Sequence, residues 1–173
     1  MPLKLKNWPG SDAASRRRQW PRIVELAERV AAAPHLTGLF LLGSFARGEA
    51  DGFSDVDFMV VLADGRFDEA WERRHELHPP GSACWDYPRP DEREVAAHRW
   101  LTDDLVLFDG LISTTSGARL AEPFVLLVGE DEIAAAFQRF DPKSSSAAEI
   151  EPHELERLYG RLKLAARRAV RAG

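Results

Sequence analysis

Two aspartates and a glycine–serine pair are the residues of this sequence best suited to chemistry. Asp55 and Asp57 stand two positions apart at the start of an apolar run, and Gly43 and Ser44 follow another apolar run. Residues two apart in a strand point to the same face, so the two carboxylates are expected side by side. A divalent cation removes the repulsion between such carboxylates and prefers oxygen ligands. The spacing therefore predicts a cation site on one face of a strand.

The glycine–serine pair predicts a turn that binds phosphate. A strand that passes through glycine into a helix offers backbone amides and a hydroxyl group to an anion, and glycine lets the anion approach closely. Taken singly, the pair could serve a tight turn, Asp55 could be a cap beside Ser54, and Asp57 could lie on a solvated strand face. One ligand explains all of them together, namely a triphosphate that magnesium bridges to the two aspartates.

The segment from Leu39 to Leu62 resembles the signature of the DNA polymerase β-like nucleotidyltransferase superfamily, which is Gly-Ser, about ten residues, and Asp-hydrophobic-Asp. Its closer form has Gly-Ser-Phe-Ala-Arg-Gly at 43–48 and Ser-Asp-Val-Asp at 54–57, and is similar to the minimal nucleotidyltransferases and their antibiotic-modifying relatives. The resemblance implies a nucleoside triphosphate donor, with ATP expected, two Mg²⁺ ions, and transfer of a nucleoside monophosphate to an acceptor hydroxyl. It also implies an α/β (α+β) fold with a small mixed β-sheet flanked by helices, to which the sequence pattern adds a C-terminal helix.

The same resemblance implies roles for single residues. Asp55 and Asp57 would ligate the metal ions. Arg47 would help to neutralise phosphate, although an exposed helix surface explains an arginine there nearly as well. The nucleotide-binding residues that the resemblance implies are Gly43, Ser44, Arg47 and Ser54.

The family requires a third carboxylate on a neighbouring strand. Asp109 lies inside the apolar run 105–112, where a charged side chain is costly unless it is paired or bound to metal. Asp104 stands among polar residues in a turn-like context that already explains an aspartate. We therefore expect Asp109 to be the third metal ligand and to help deprotonate the attacking hydroxyl. Asp104 is the alternative, and Asp86 or the lack of a third acid is a further one.

Apolar periodicity and turn residues predict the elements that must position these groups. Helices follow from apolar residues at helical spacing, and strands from short apolar or β-branched runs that end at glycine, proline or polar turns. The predicted elements are a helix over 19–33, strands over 36–42 and 55–62, a helix over 67–77, a strand over 83–87, a hairpin with strands over 95–101 and 105–113, a strand over 124–128 and a helix over 131–140.

The length of 173 residues fits one domain, which we expect as a nucleotidyltransferase domain over 1–140. A run of serines at 144–146 predicts a linker over 141–151, and apolar residues at helical spacing predict a C-terminal helix over 152–173. The net charge is −5, with basic residues near both ends and an acidic stretch between them. An acidic surface suits divalent cations and disfavours nucleic acid. The resemblance instead implies a small-molecule acceptor such as an aminoglycoside or a lincosamide, and a homodimer stays open as a way to complete the acceptor pocket.

No apolar run approaches the roughly 20 residues that span a bilayer, and the polar N-terminus has no signal-peptide pattern. We therefore expect a cytoplasmic protein without a membrane partner. The single cysteine, Cys84, cannot form an internal disulfide and is expected in the core. Trp85, Tyr87 and Trp100 are also expected in the core, although each could stack on a nucleobase or an acceptor.

Three other functions stay open at this level. The protein could be a minimal nucleotidyltransferase antitoxin that adenylylates a partner protein, a module that binds nucleotide without turnover, or a structural or interaction domain outside the family. A neighbouring gene for a small helical protein would favour the first function. Binding of ATP and magnesium without turnover would favour the second, and failure to bind any nucleotide the third.

Overall fold

The computed structural model describes residues 1–6, 8, 10–86 and 94–141. Met1–Asp141 form one compact unit. The predicted C-terminal helix, all but the first residue of the predicted linker, and Tyr87 lie outside the described residues. The division into a domain over 1–140, a linker and a C-terminal helix therefore stays a prediction.

A six-stranded mixed sheet, as predicted, forms the centre of the described structure. The strands of this sheet are β1 (Leu36–Leu41), β2 (Val56–Leu62), β3 (Ala83–Asp86), β4 (Val95–Leu101), β5 (Leu107–Thr114) and β7 (Val125–Val128), and a separate parallel pair is formed by β6 (Leu120–Ala121) and β8 (Arg139–Phe140). The order is β3-β4-β5-β2-β1-β7, with β2 and β5 parallel and the other neighbours antiparallel. Because β2 and β5 are parallel neighbours, they begin at the same end of the sheet.

Short helices connect the strands, and one longer helix packs on the sheet. The helices are α1 (Ser11–Ser15), α2 (Trp20–Ala32), α3 (Gly43–Ala46), α4 (Phe67–Glu72) and α5 (Glu132–Ala135), with a 3-10 turn at Arg74–Leu77. α2 confirms the predicted amphipathic helix, because Ile23, Leu26 and Val30 are buried at helical spacing. The helix predicted over 67–77 is divided into α4 and the 3-10 turn. Within the described ranges, no helix is both long and apolar enough to cross a membrane.

Alternation along the strands gives the sheet two unlike faces. On the helix-covered face, Phe58, Trp100 and Phe108 are about 1% exposed and share one core cluster with α2. On the acidic face, Asp57 and Asp109 lie where β2 and β5 begin. A smaller apolar cluster lies on the same side as the two acids and consists of Phe40, Met59, Val61, Leu120, Ala134 and Phe137.

The predicted helix over 131–140 is wrong beyond its first turn. α5 ends at Ala135, and Arg139–Phe140 form β8 beside β6. The amides of Leu120 and Glu122 donate hydrogen bonds to backbone carbonyl oxygens of this segment, which hold it extended. Pairing with a neighbouring strand therefore overrides the local helical pattern.

The predicted place of Cys84 in the core is also wrong, because Cys84 is exposed. It lies on β3, an edge strand, where a side chain has a neighbouring strand on one side only. Its sulfur atom lies 3.1 Å from His78 Nε2. The predicted burial of Trp100, on the adjacent strand, is confirmed, and Trp85 is half-buried.

Candidate active site

Three carboxylates meet at the end of the sheet where β2 and β5 begin. Asp57 on β2 pairs in register with Asp109 on β5, and Asp55 lies directly before β2. One oxygen atom from each carboxylate lies within 4.8 Å of the other two, and all three residues are partly buried. Partial burial strengthens both their mutual repulsion and their attraction to a cation. The structure thus brings together the aspartate pair and the preferred third acid, and their role as metal ligands stays a prediction.

The alternative third acids lie elsewhere and bind other groups. Asp104 accepts hydrogen bonds from Thr102 (2.6 Å) and Arg22 (3.2 Å). Burial alone would raise the pKa of Asp104, but these bonds outweigh burial and lower the pKa. Asp86 Oδ1 lies 2.6 Å from His98 Nδ1. In the described part of the chain, Asp109 is therefore the acid that joins the pair.

The Gly43–Ser44 turn packs directly against the carboxylate group. The Leu42 amide donates to the Asp57 carbonyl oxygen (2.8 Å), which ties the turn to β2. Gly43 has a φ of +58°, and a Cβ at this position would overlap the Asp57 carboxylate. Backbone conformation and space both require glycine. The turn predicted to bind phosphate therefore touches an acid predicted to bind metal.

The Ser44 hydroxyl is buried and has no hydrogen-bond partner among the described residues. Leaving a buried polar group unpaired costs about 1 to 3 kcal/mol, so such groups are rare and call for an explanation. A phosphate oxygen is an acceptor to which this hydroxyl could donate. The buried hydroxyl therefore fits the predicted phosphate turn independently of the sequence motif.

Comparison with known protein families agrees with this geometry. Residues 23–108, which contain the turn and the aspartate pair, match the nucleotidyltransferase domain family. The chain therefore contains a nucleotidyltransferase domain. This match confirms the predicted nucleotidyltransferase domain and transferase class, and the sheet confirms the predicted mixed fold. The minimal, antibiotic-type subgroup stays a prediction.

Among solved structures, a cytoplasmic RNA terminal U-transferase is similar to this chain, with 19% sequence identity and a TM-score of 0.37. The similarity covers 65% of this chain and 31% of that chain. This chain therefore matches less than a third of that protein's length. Comparison with curated proteins finds no significant match.

Gln19 fixes the loop that precedes β2. Its side-chain amide donates to the carbonyl oxygens of Asp51 (3.0 Å) and Ser54 (2.8 Å), and Gln19 is fully buried. The Ser54 hydroxyl donates to Asp51 Oδ1 (3.0 Å) and so closes a turn in the same loop. Because Asp55 directly follows Ser54, these contacts position Asp55 and the start of β2. The nucleotide-binding role of Ser54 stays a prediction.

Arg18 joins the two loops that precede the acid-bearing strands. Its guanidinium donates to the Gly52 carbonyl oxygen (2.7 Å) before β2 and to those of Asp104 (2.8 Å) and Leu105 (3.0 Å) before β5. These contacts link the entries of the two strands. Sequence reasoning missed Arg18 and Gln19, because their partners are backbone carbonyls that no side-chain pattern marks.

Two arginines bind acids close to the site. Arg99 on β4 donates from Nε to Asp109 Oδ1 (2.6 Å), and strand pairing places these residues opposite each other. Sequence reasoning missed Arg99. Alternation along the predicted hairpin places Arg99 on the face opposite the buried Trp100, but the register of the two strands decides which residue Arg99 contacts. Arg47, after α3, donates to Glu49 Oε2 (2.7 Å), and its contact with nucleotide stays a prediction.

Proposed function

We propose that this nucleotidyltransferase transfers a nucleoside monophosphate from a nucleoside triphosphate, with ATP as the expected donor, to a hydroxyl group of a small molecule. The observation that carries the proposal is the contact between the Gly43–Ser44 turn and Asp57, which itself belongs to the group of three carboxylates. A phosphate turn and a cation site that touch each other suit a triphosphate with its metal ions. The acceptors we propose are aminoglycosides or lincosamides, the substrates of the antibiotic-modifying relatives that the motif resembles.

The donor set fits magnesium. Asp55, Asp57 and Asp109 offer carboxylate oxygens, and Mg²⁺ is usually held by one or two carboxylates together with substrate phosphates. The buried Ser44 hydroxyl adds a hydrogen-bond donor for phosphate. When bound, two Mg²⁺ ions would neutralise phosphate charge and favour attack at the α-phosphorus.

The residues of the chain divide the work of the proposed reaction. Gly43 and Ser44 would hold the triphosphate, and Asp55, Asp57 and Asp109 would hold the cations. The acceptor oxygen bonds to the α-phosphorus while the bond between that phosphorus and the oxygen that bridges to the β-phosphate breaks, and pyrophosphate leaves. Asp109 helps to take the proton that the acceptor hydroxyl loses.

Arg47 and Ser54 have secondary places in this proposal, since both bind neighbouring acids. Arg47 would leave Glu49 and bind phosphate. The free-energy cost of breaking this pair is small, because an exposed ion pair contributes only about 0 to 1 kcal/mol. Ser54 would help to bind the nucleotide indirectly, by holding the turn that its hydroxyl closes with Asp51.

The charge of the chain supports a small acceptor over nucleic acid. Proteins that bind nucleic acid neutralise phosphates with lysine and arginine, whereas this chain carries a net charge of −5. An acidic protein attracts a cationic acceptor such as an aminoglycoside.

Incubation of the full chain with each of the four nucleoside triphosphates, Mg²⁺ and a panel of aminoglycosides and lincosamides tests the proposal. Mass spectrometry should find one acceptor that has gained a nucleoside monophosphate from ATP, with release of pyrophosphate. Asp57→Asn should abolish the product, and Asp104→Asn, outside the carboxylate group, is the matched control.

A parallel incubation with cell extract separates the acceptor classes. A labelled protein in place of a labelled small molecule would establish a partner protein as the acceptor. ATP binding without any product would indicate a non-catalytic module. A wild-type protein that neither binds ATP with Mg²⁺ nor forms a product would contradict the proposal.

A further inference from the structure

Arg99 is the basic residue opposite the third carboxylate. It pairs in register with Asp109 across β4 and β5, and its Nε donates to Asp109 Oδ1 at 2.6 Å. The side chains are 14% and 23% exposed, so water screens this ion pair only in part. A permanent positive charge is thus built into the wall of the proposed cation site.

The carboxylate group explains why a cation at this place matters. Oxygen atoms of Asp55, Asp57 and Asp109 lie within 4.8 Å of one another, and like charges at that separation repel. Arginine keeps its charge at any physiological pH and holds a carboxylate in a fixed direction. Arg99 can therefore offset the repulsion and orient Asp109 before any metal ion arrives.

A second arginine–aspartate pair nearby provides a comparison. Arg74 Nε donates to Asp86 Oδ2 at 2.9 Å, and these side chains are 30% and 27% exposed. Asp86 pairs in register with His98, the neighbour of Arg99, so alternation places it on the opposite, helix-covered face. It does not belong to the carboxylate group. The two pairs thus share their chemistry but differ in whether a cation site adjoins them.

We propose that Arg99 is a positioning residue that holds Asp109 in the absence of a metal ion and competes with metal ions for this carboxylate. The inference rests on the proposed function, because it takes Asp109 as a cation ligand. Competition makes cation binding at the three acids weaker than the acids alone would give. The bond from Arg99 also keeps Asp109 oriented in the free enzyme. Arg99 thus lowers the cation affinity of the site but keeps Asp109 in position before a metal ion binds.

Mn²⁺ binding in the absence of nucleotide tests this inference without any acceptor. Free Mn²⁺ is measured by electron paramagnetic resonance as each protein variant is titrated. Arg99→Met should bind Mn²⁺ roughly fivefold tighter than wild type or more, the lower end of typical coupling between two sites. Arg99→Lys keeps the charge and should bind nearly as wild type does. Arg74→Met, the matched control, should leave Mn²⁺ affinity unchanged.

Melting temperatures supply a second readout. Without metal, Arg99→Met should melt below wild type, because the carboxylates lose their counter-charge, and Mn²⁺ should raise its melting temperature more than that of wild type. In an Asp109→Asn background, Arg99→Met should no longer change Mn²⁺ affinity, since the contested carboxylate is gone. Should Arg99→Met fail to fold, Arg99→Gln takes its place under the same criteria.

The outcomes separate this inference from the proposed function. Mn²⁺ binding by wild type that Asp57→Asn abolishes supports the cation site itself. If binding behaves so but Arg99→Met binds Mn²⁺ no tighter than wild type, the inference about Arg99 is overturned and the proposed function stands. If neither wild type nor Arg99→Met binds Mn²⁺ at the three acids without nucleotide, the inference about Arg99 is overturned. Binding of ATP with Mg²⁺ and product formation then decide the proposed function separately.

Discussion

Neighbouring residues on β2 and β5 face opposite sides of the sheet and meet opposite surroundings. On the helix-covered face, the Phe58 ring lies 5.0 Å from the Trp100 ring and 6.1 Å from the Phe108 ring. On the acidic face, Asp57 and Asp109 bring like charges together. Buried rings stabilise the fold, whereas gathered carboxylates oppose it. The comparison teaches that the same strands carry stability on one face and, on the other, a destabilising group that function explains.

The largest effect is expected on turnover, from the acidic face. Asp109→Asn should lower kcat by about 10²- to 10⁴-fold, because it removes the group that helps to take the acceptor proton. Asp104→Asn should leave kcat almost unchanged, since Asp104 is bound to Thr102 and Arg22 outside the carboxylate group. Pyrophosphate release with the identified acceptor measures both. The opposite pattern would transfer the role to Asp104.

On the helix-covered face, the expected effect is on stability. Phe58→Ala should lower the free energy of unfolding by about 3 to 5 kcal/mol, because it leaves a cavity beside two other buried rings. Urea unfolding measures the change. Ligand-induced stabilisation by ATP and Mg²⁺ should persist in the folded variant, and its loss would break the proposed separation between the faces.

The Ser44 hydroxyl should matter for nucleotide affinity rather than for the fold. Ser44→Ala should weaken binding of ATP with Mg²⁺ by roughly 10- to 150-fold, which corresponds to the loss of a hydrogen bond to a charged group, about 1.5 to 3 kcal/mol. Its melting temperature without ligand should not fall, because the hydroxyl has no partner among the described residues. Calorimetric titration that gives an unchanged dissociation constant would remove the phosphate-turn assignment.

The smallest expected effect is the pH dependence of stability that arises from His98, on the helix-covered face of β4. Burial lowers the pKa of His98, against the raising effect of Asp86 and together with the positive charges of His78 and Arg74. Below the unfolded pKa of about 6.5, the unfolded chain takes up a proton that folded His98 does not, so stability is lost as pH falls towards the folded pKa. Urea unfolding at pH 7 and pH 5 should show a smaller loss in His98→Gln than in wild type. An equal loss would assign the acid sensitivity to other groups.

Local patterns were enough to predict the elements that hold the site. Continuous apolar runs marked β1 and β2, and the two-residue spacing of Asp55 and Asp57 already placed both carboxylates on one side. Asp109 was predicted as the third carboxylate, because a charged residue inside an apolar strand needs a partner. These inferences depend on neighbours in sequence, and the structure agrees with them.

Contacts between distant segments could not be predicted in the same way. The bond from Arg99 to Asp109 requires the hairpin register, and the bonds from Gln19 and Arg18 reach carbonyl oxygens of loops far along the chain. Likewise, the exposure of Cys84 follows from the edge position of β3, which depends on the order of all strands. Each of these features is a property of the topology rather than of a segment.

Thermal unfolding of Asp57→Asn, with and without ATP and Mg²⁺, tests the central claim most directly. If Asp57 binds a cation, removal of its charge relieves repulsion, and the variant without ligand should be at least as stable as wild type. It should also lose most of the stabilisation that ligand gives wild type, about 2.7 kcal/mol at 100 times the dissociation constant. A variant that melts well below wild type without ligand, yet gains the same shift with ATP and Mg²⁺, would show that Asp57 supports the fold and binds no metal.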